Sequence, residues 1–439
     1  MPVSTDQHHQ GDTTMEAFDS TAPVRVRRGW RVGAVAVAGL LLLTAGGGIA
    51  GASVRSAGAS DTALLGKKNP AKGEPVQIGM ISEGTSASAD ASYEIDGFDV
   101  AVKWINDRRG GIAGRPIELL KCETRQDAGR AAECANQMIT AKVPAVIMGG
   151  SSNTEAVWQP LHDAGIPVMM AAASADKVLT DPDSTFVLAD PYAAVVDLPL
   201  GIAKKAKTKK VSGVVIDVPA AVGILQDETV PKMKKAGITM EVIPIAPGTP
   251  DMTPQMQELA TNGTGEAFVI GSDAFCIAAF NGLHAVAYKG KVAAVSQCVT
   301  DATRKAVPGD VLKGTIVSAT APVGANDPSI KVFEAVAKAY NPDLKSDNTG
   351  LISTFATAVA FADAVKGITG EITPANVITT VRAAKEQELV ASGGQKFRCN
   401  SKANPAKAAI CIRGTLVTTL DATGHPKKYE VVGASPIPD

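Results

Sequence analysis

Three short stretches combine small residues with hydroxyl or carboxylate groups: Gly149-Gly150-Ser151-Ser152-Asn153-Thr154, Ala171-Ala172-Ala173-Ser174 and Gly271-Ser272-Asp273. Small residues let a bound molecule approach the backbone, and hydroxyls and amides can hold a carboxylate without supplying a formal charge. Each stretch follows an apolar run with strand character. The first leads into a helical pattern whose free N–H groups could hold an anion. The same Ser-Ser-Asn-Thr run also reads as an ordinary helix N-cap.

Catalytic chemistry has thinner support. Histidine occurs five times, at His8, His9, His162, His284 and His425. His162 lies in the helix that follows the serine loop, so a Ser151–His162 dyad is the form an extracytoplasmic hydrolase would take. No G-x-S-x-G elbow occurs and no third group orients the histidine, so a satisfied or exposed helical histidine is the plainer reading. Gly46, Gly48 and Gly51 spell G-x-G-x-x-G, yet they fall within an apolar segment without the strand and helix that a dinucleotide site requires. No enzyme activity, cofactor or metal is expected.

The six cysteines are Cys122, Cys134, Cys276, Cys298, Cys399 and Cys411. None forms a C-x-x-C pair, which disfavours zinc. Of the 15 possible connectivities, clustering favours 122–134, 276–298 and 399–411; free buried thiols are the alternative. Disulfides persist in an oxidising compartment, and the amino terminus points the same way. Residues 1–24 form a polar leader. Arg25, Arg27, Arg28 and Arg31 then precede an uncharged stretch, 32–54, long enough to enter a hydrocarbon core of about 30 Å. Small-x-small sites at 50–52 and 57–59 suit a cleaved signal. The segment 25–59 is thus read as a signal peptide or retained membrane anchor, and 60–75, rich in Gly, Ala and Lys, as a linker. Either way the bulk of the chain is extracytoplasmic.

The elements that must position these loops alternate. Apolar runs suited to buried strands occur at 76–81, 117–120, 145–148, 168–170, 211–216, 267–270 and 314–317. Amphipathic helical patterns lie between them, as at 93–107, where Ile95, Phe98, Val102 and Ile105 share a face; 332–340 and 351–365 read likewise. This alternation implies an α/β chain, and 439 residues imply two doubly wound parallel-sheet lobes rather than one. Such sheets bind ligands at the carboxyl ends of their strands, where the three loops sit. A net charge of −1 argues against nucleic acid. The run Lys204-Lys205-Ala206-Lys207-Thr208-Lys209-Lys210 lacks aromatics and reads as a solvated helix end, with permease docking the sharper alternative.

The stretch 96–118, DGFDVAVKWINDRRGGIAGRPIE, resembles the first helix, turn and following strand of branched-chain amino-acid-type ABC-transporter solute receptors. The likeness extends through the loops at 149–154 and 171–174 and, more loosely, to about residue 390. It implies a type I bilobal fold, with 76–189 and 322–396 in one lobe, 190–321 and 397–433 in the other. Three hinge crossings would fall near 187–191, 319–323 and 394–398. By the same resemblance, Ser151, Ser152, Ala172 and Ser174 would hold a ligand carboxylate, Tyr192 would line the hinge, and Asp273 would face the ligand from the second lobe. The implied partners are a small-molecule solute and an ABC permease, the chain acting as a monomer and touching the membrane only through an uncleaved amino terminus. The pattern departs at Asp217-Val218-Pro219-Ala220-Ala221-Val222-Gly223, which lacks the usual covering aromatic, and at Cys298, where an acidic anchor would stand. An amide or another small carboxylate is therefore as acceptable a solute as an amino acid. A membrane-anchored sensor of the same fold is the alternative function.

Overall fold

The computed structural model describes residues 56–86, 90–324, 326–344, 347–433 and 436–439. Five parallel strands form the first sheet: Val76–Ser82, Ile117–Glu123, Val146–Met148, Val168–Met170 and Thr185–Val187. Across the sheet they run second, first, third, fourth, fifth in chain order. Ile78 pairs with Leu119 on one side of the first strand, and Gly79 with Val146 on the other. Apart from the edge strand Ile117–Glu123, where Glu118 and Lys121 are exposed, these strands are mostly apolar and buried because helices cover both faces. The helix Tyr93–Trp104 lies against Thr349–Ala364, and Gly97 makes that contact possible. A Cβ there would stand 2.4 Å from the Leu351 carbonyl oxygen.

The second sheet repeats the plan. Lys210–Ile216, Thr239–Ile245, Glu266–Ile270, Lys291–Val295 and Ile316–Ala319 are parallel and follow the same order. Thr415–Thr419 and Glu430–Val432 extend it antiparallel. Two apolar clusters fill its faces, one around Val214, Phe280 and Leu283, the other around Leu200, Val215 and Phe268. The α/β expectation of two doubly wound lobes holds.

Two expected boundaries differ in the structure. The third crossing, expected at 394–398, comes later. Phe397, Cys399, Ile410 and Ile412 pack into the first core, and Ile410 bridges Val187 in parallel, so the chain moves to the second sheet only between Ile412 and Thr415. A polar stretch of little apolar content is held there by edge pairing rather than by its own core. Residues 60–75, expected as a linker, are folded onto the first lobe. The helix Ser56–Leu65 ends where the Trp104 indole donates to the Leu65 carbonyl at 3.0 Å. Asn69 N and Ala71 N then donate to the carbonyls of Asp107 and Asn106.

Three disulfides, Cys122–Cys134, Cys276–Cys298 and Cys399–Cys411, join the sequential pairs. Among the described residues no helix is long and apolar enough to cross a membrane. The leader 1–24 and the apolar segment 32–54 lie outside the described residues.

Candidate functional site

In each sheet the strand order reverses between the first and third strands, and a crevice opens at their carboxyl ends. In the first lobe that point lies between Ser82 and Gly149. Glu94, in the first turn of the helix Tyr93–Trp104, turns its carboxylate into it. The Ser82 hydroxyl donates to Glu94 Oε2 at 2.7 Å, the Glu83 amide to the same oxygen at 3.2 Å, and the Gly150 amide to Oε1 at 2.6 Å. Burial pushes the Glu94 carboxyl above its ordinary range, while these three donors pull the other way. A Cβ at Gly149 would lie 2.4 Å from Glu94 Oε2, so a larger residue there would displace the carboxylate from these donors.

The loop that follows divides its donors. The amide and hydroxyl of Ser152 both donate to Glu83 Oε1, at 2.9 and 2.6 Å. Ser151 Oγ accepts from the Asn153 amide at 3.1 Å, which leaves its own proton to donate elsewhere. Further along the rim, Ala172 and Ser174 are exposed. Among the described residues no hydrogen bond engages the amides of Ala172 and Ala173 or the Ser174 hydroxyl.

Between the carboxyl ends of the two sheets lies a cavity of about 190 Å³. The first lobe contributes Ala172 and Ala173, the first crossing Leu188 to Pro191, and the second lobe Val295, Ser296 and Gln297. Asp190 is the one ionisable group in its lining. Burial pushes the Asp190 carboxyl up to about 6, with the Asp197 charge adding to the effect; the amides of Tyr192 and Ala193, each donating at 3.1 Å, act against it. A second cavity of about 500 Å³ shares Ser296 and Gln297 and adds Thr300, Asp301, Arg304 and Asn348.

The structure does not gather all six candidate residues around one void. Ala172 lines the smaller cavity. Tyr192 lies just beyond its lining, with the Lys407 ammonium 5.1 Å from its ring centroid. Asp273 accepts from the Thr300 hydroxyl at 3.4 Å and so stands behind the larger cavity rather than in it. Ser151, Ser152 and Ser174 border the cleft on the first-lobe rim. Asp190, Ser296 and Gln297 were not singled out by sequence; only their places, just past a crossing and just past a strand, could have marked them. Cys298 is buried in its disulfide and offers no acidic anchor. Where a covering aromatic would be expected, exposed Val218 precedes the short helix Pro219–Ile224.

The Ser151–His162 dyad is not formed. The two residues flank opposite ends of the helix Thr154–Asp163. His162 stacks on Trp158 with ring centroids 4.7 Å apart, and its Nδ1 faces Ser184 Oγ and Asp181 Oδ2, each at 3.4 Å.

A family model described as periplasmic binding protein matches residues 75–410. The chain belongs to that family.

No curated protein matches the sequence significantly. Solved structures share the fold at low identity. An extracellular ligand-binding receptor from Verminephrobacter eiseniae superposes with TM-score 0.66 at 19% identity, over 80% of this chain and 99% of that one. The branched-chain amino acid transporter substrate-binding protein LivJ from Streptococcus pneumoniae, in complex with isoleucine, gives 0.61 at 16% identity, over 82% and 100%. A fatty acid ABC transporter substrate-binding protein from Thermomonospora curvata gives 0.65 at 15% identity, over 85% and 95%. This periplasmic binding protein is a solute-binding protein, and its family places it outside the cytoplasm.

Proposed function

We propose that this protein captures a small polar solute between its two lobes and delivers it to an ABC permease. The observation that carries this reading is the cavity between the carboxyl ends of two like-ordered sheets, lined by Ala172 and Ala173 with their unengaged amides, next to which Ser174 follows on the rim. Those donors suit a carboxylate or another compact acceptor, with the Ser151 hydroxyl completing the first-lobe side. From the opposite side Ser296 and Gln297 provide neutral partners, and Asp190 accepts from a donor on the solute. Tyr192, Ser152 and Asp273 act one step back, shaping the hinge and holding neighbouring groups. In this reading the amino-terminal segment exports the chain or tethers it to the membrane, and the protein works as a monomer.

A thermal-shift screen of the oxidised protein tests this against amino acids, amides, small organic acids and fatty acids. A dose-dependent rise of the midpoint from one chemical class is the expected result, because a ligand that prefers the folded state stabilises it. No rise from any class, with the protein folded, would refute solute capture.

A further inference from the structure

The loop closed by Cys399–Cys411 is fixed to the first lobe and reaches toward the second. Ala409 N donates to the Leu179 carbonyl at 3.0 Å, Val187 N to the Ala409 carbonyl at 2.8 Å, and Cys411 N to the Val187 carbonyl at 2.9 Å. The disulfide ties the base of the loop. Lys407 leaves this frame with its side chain only 12% exposed. Its ammonium donates to Asp176 Oδ1 on the first-lobe helix Asp176–Thr180. It lies 5.1 Å from the ring centroid of Tyr192 on the first crossing. It also stands 3.8 Å from Glu228 Oε1, on the second-lobe helical turn Leu225–Thr229. One cation thus touches both lobes and the crossing between them.

We propose that Lys407 is an interlobe latch, which sets how much of the solute-free protein is closed and, through that, its affinity for solute. The inference rests on the reading above that the lobes close on a solute. Asp176 moves with Lys407, so their pair aims the ammonium and has the same energy whether the lobes are open or closed. Glu228 moves with the second lobe, so its attraction belongs to the arrangement in which the two groups stand 3.8 Å apart and fades as the lobes part. Only such a difference between states shifts an equilibrium. The Glu228 carboxylate is partly exposed, side chain 44%, so the pair belongs with partly screened ion pairs and shifts the closed-to-open ratio by roughly two- to fivefold.

The test needs no ligand. Unnatural amino acids at Lys142 and Lys289 in the full chain carry a donor and an acceptor dye. Both residues are exposed and lie at the amino ends of strands, away from the cleft. Interlobe distance is read by energy transfer. Lys407→Met and Glu228→Gln should each lengthen the mean distance, and the double variant should lengthen it no further. Salt at about 0.5 M should move the wild type toward the variants and leave Lys407→Met where it is. Unchanged distances in Lys407→Met, or additive changes in the double variant, overturn the latch. If Lys407→Met fails to fold, Glu228→Gln and its salt response decide alone, since that side chain is on the surface. Running the solute screen on the same proteins separates the two claims. A solute that binds while distances stay fixed refutes the latch alone. Distances that respond while no solute binds refute the receptor reading.

Discussion

Glu266 opens the strand Glu266–Ile270, is 0% exposed, and has no hydrogen-bond partner on either carboxylate oxygen among the described residues. Two residues on, Phe268 packs into the cluster that includes Leu200 and Ile202 of the helix Leu198–Ala206, and the period of a strand puts Glu266 on that same face. Desolvation alone pushes its carboxyl from 4.5 up to about 8. The sign follows from linkage. Between these values the folded state keeps a proton that the unfolded state has lost, so stability falls as pH rises from 4.5 and levels off above 8. At about 1.4 kcal/mol per unit, the loss is about 3 kcal/mol at pH 7 and about 5 kcal/mol at pH 9. Glu266→Gln replaces the protonated acid with a neutral group of the same shape. The variant should lie within about 1 kcal/mol of wild type at pH 5 and exceed it by about 3 kcal/mol at pH 7, more at pH 9. Urea unfolding at the three pH values, with disulfides intact and slopes compared, gives these differences directly. A difference that stays constant with pH would show that Glu266 is not held protonated, and the desolvation argument would fall.

Three other outcomes follow from the cleft. Ser174→Ala should weaken the solute found by screening by roughly 1–3 kcal/mol, read by calorimetry, and an unchanged affinity removes Ser174 from the site. Glu94→Ala leaves the Gly150 and Glu83 amides and the Ser82 hydroxyl without their acceptor, and should cost about 2–4 kcal/mol. Hydrogen exchange should rise first at 149–152, and uniform protection there would contradict the assigned role. If the solute donates to Asp190, affinity should fall as pH drops through about 6, where the carboxyl gains its proton. Asp190→Asn should flatten that profile, and a profile unchanged by the substitution would place the titrating group elsewhere.

The parts of this fold that hydrophobic pattern controls could be read in advance. Buried parallel strands are continuous apolar runs, so Val76–Ser82, Lys210–Ile216 and Glu266–Ile270 announced themselves, and alternation with helices implied two lobes. Disulfide pairing followed from the spacing of the cysteines. What could not be read depended on contacts between distant residues. Glu94 looks like any acidic residue in a first helical turn, and nothing local says that its acceptor role lies with Gly150, 56 residues away. Residues 60–75 have linker composition, yet the Asn69 and Ala71 amides are taken up by the Asp107 and Asn106 carbonyls, partners invisible to composition. The late third crossing has the same cause, since Ile410 finds its partner in Val187.

The two lobes share a strand order, so both reversal points open toward one cleft, but they equip it differently. The first lobe uses its own acids, Glu83 and Glu94, to engage Ser152, Gly150 and Ser82, which stiffens the rim before any solute arrives. Among the described residues its free donors are thereby the Ser151 hydroxyl and the groups around Ala172 and Ser174. The second lobe brings Ser296 and Gln297, and the disulfide at Cys298 anchors the turn that carries them. A preformed rim on one side lowers the ordering cost of binding, and in the proposed mode of capture it leaves closure as the main adjustable quantity. On the proposed reading, that is why a single cation placed between Asp176 and Glu228 matters: it would act on closure, the step left to set affinity once the rim is formed.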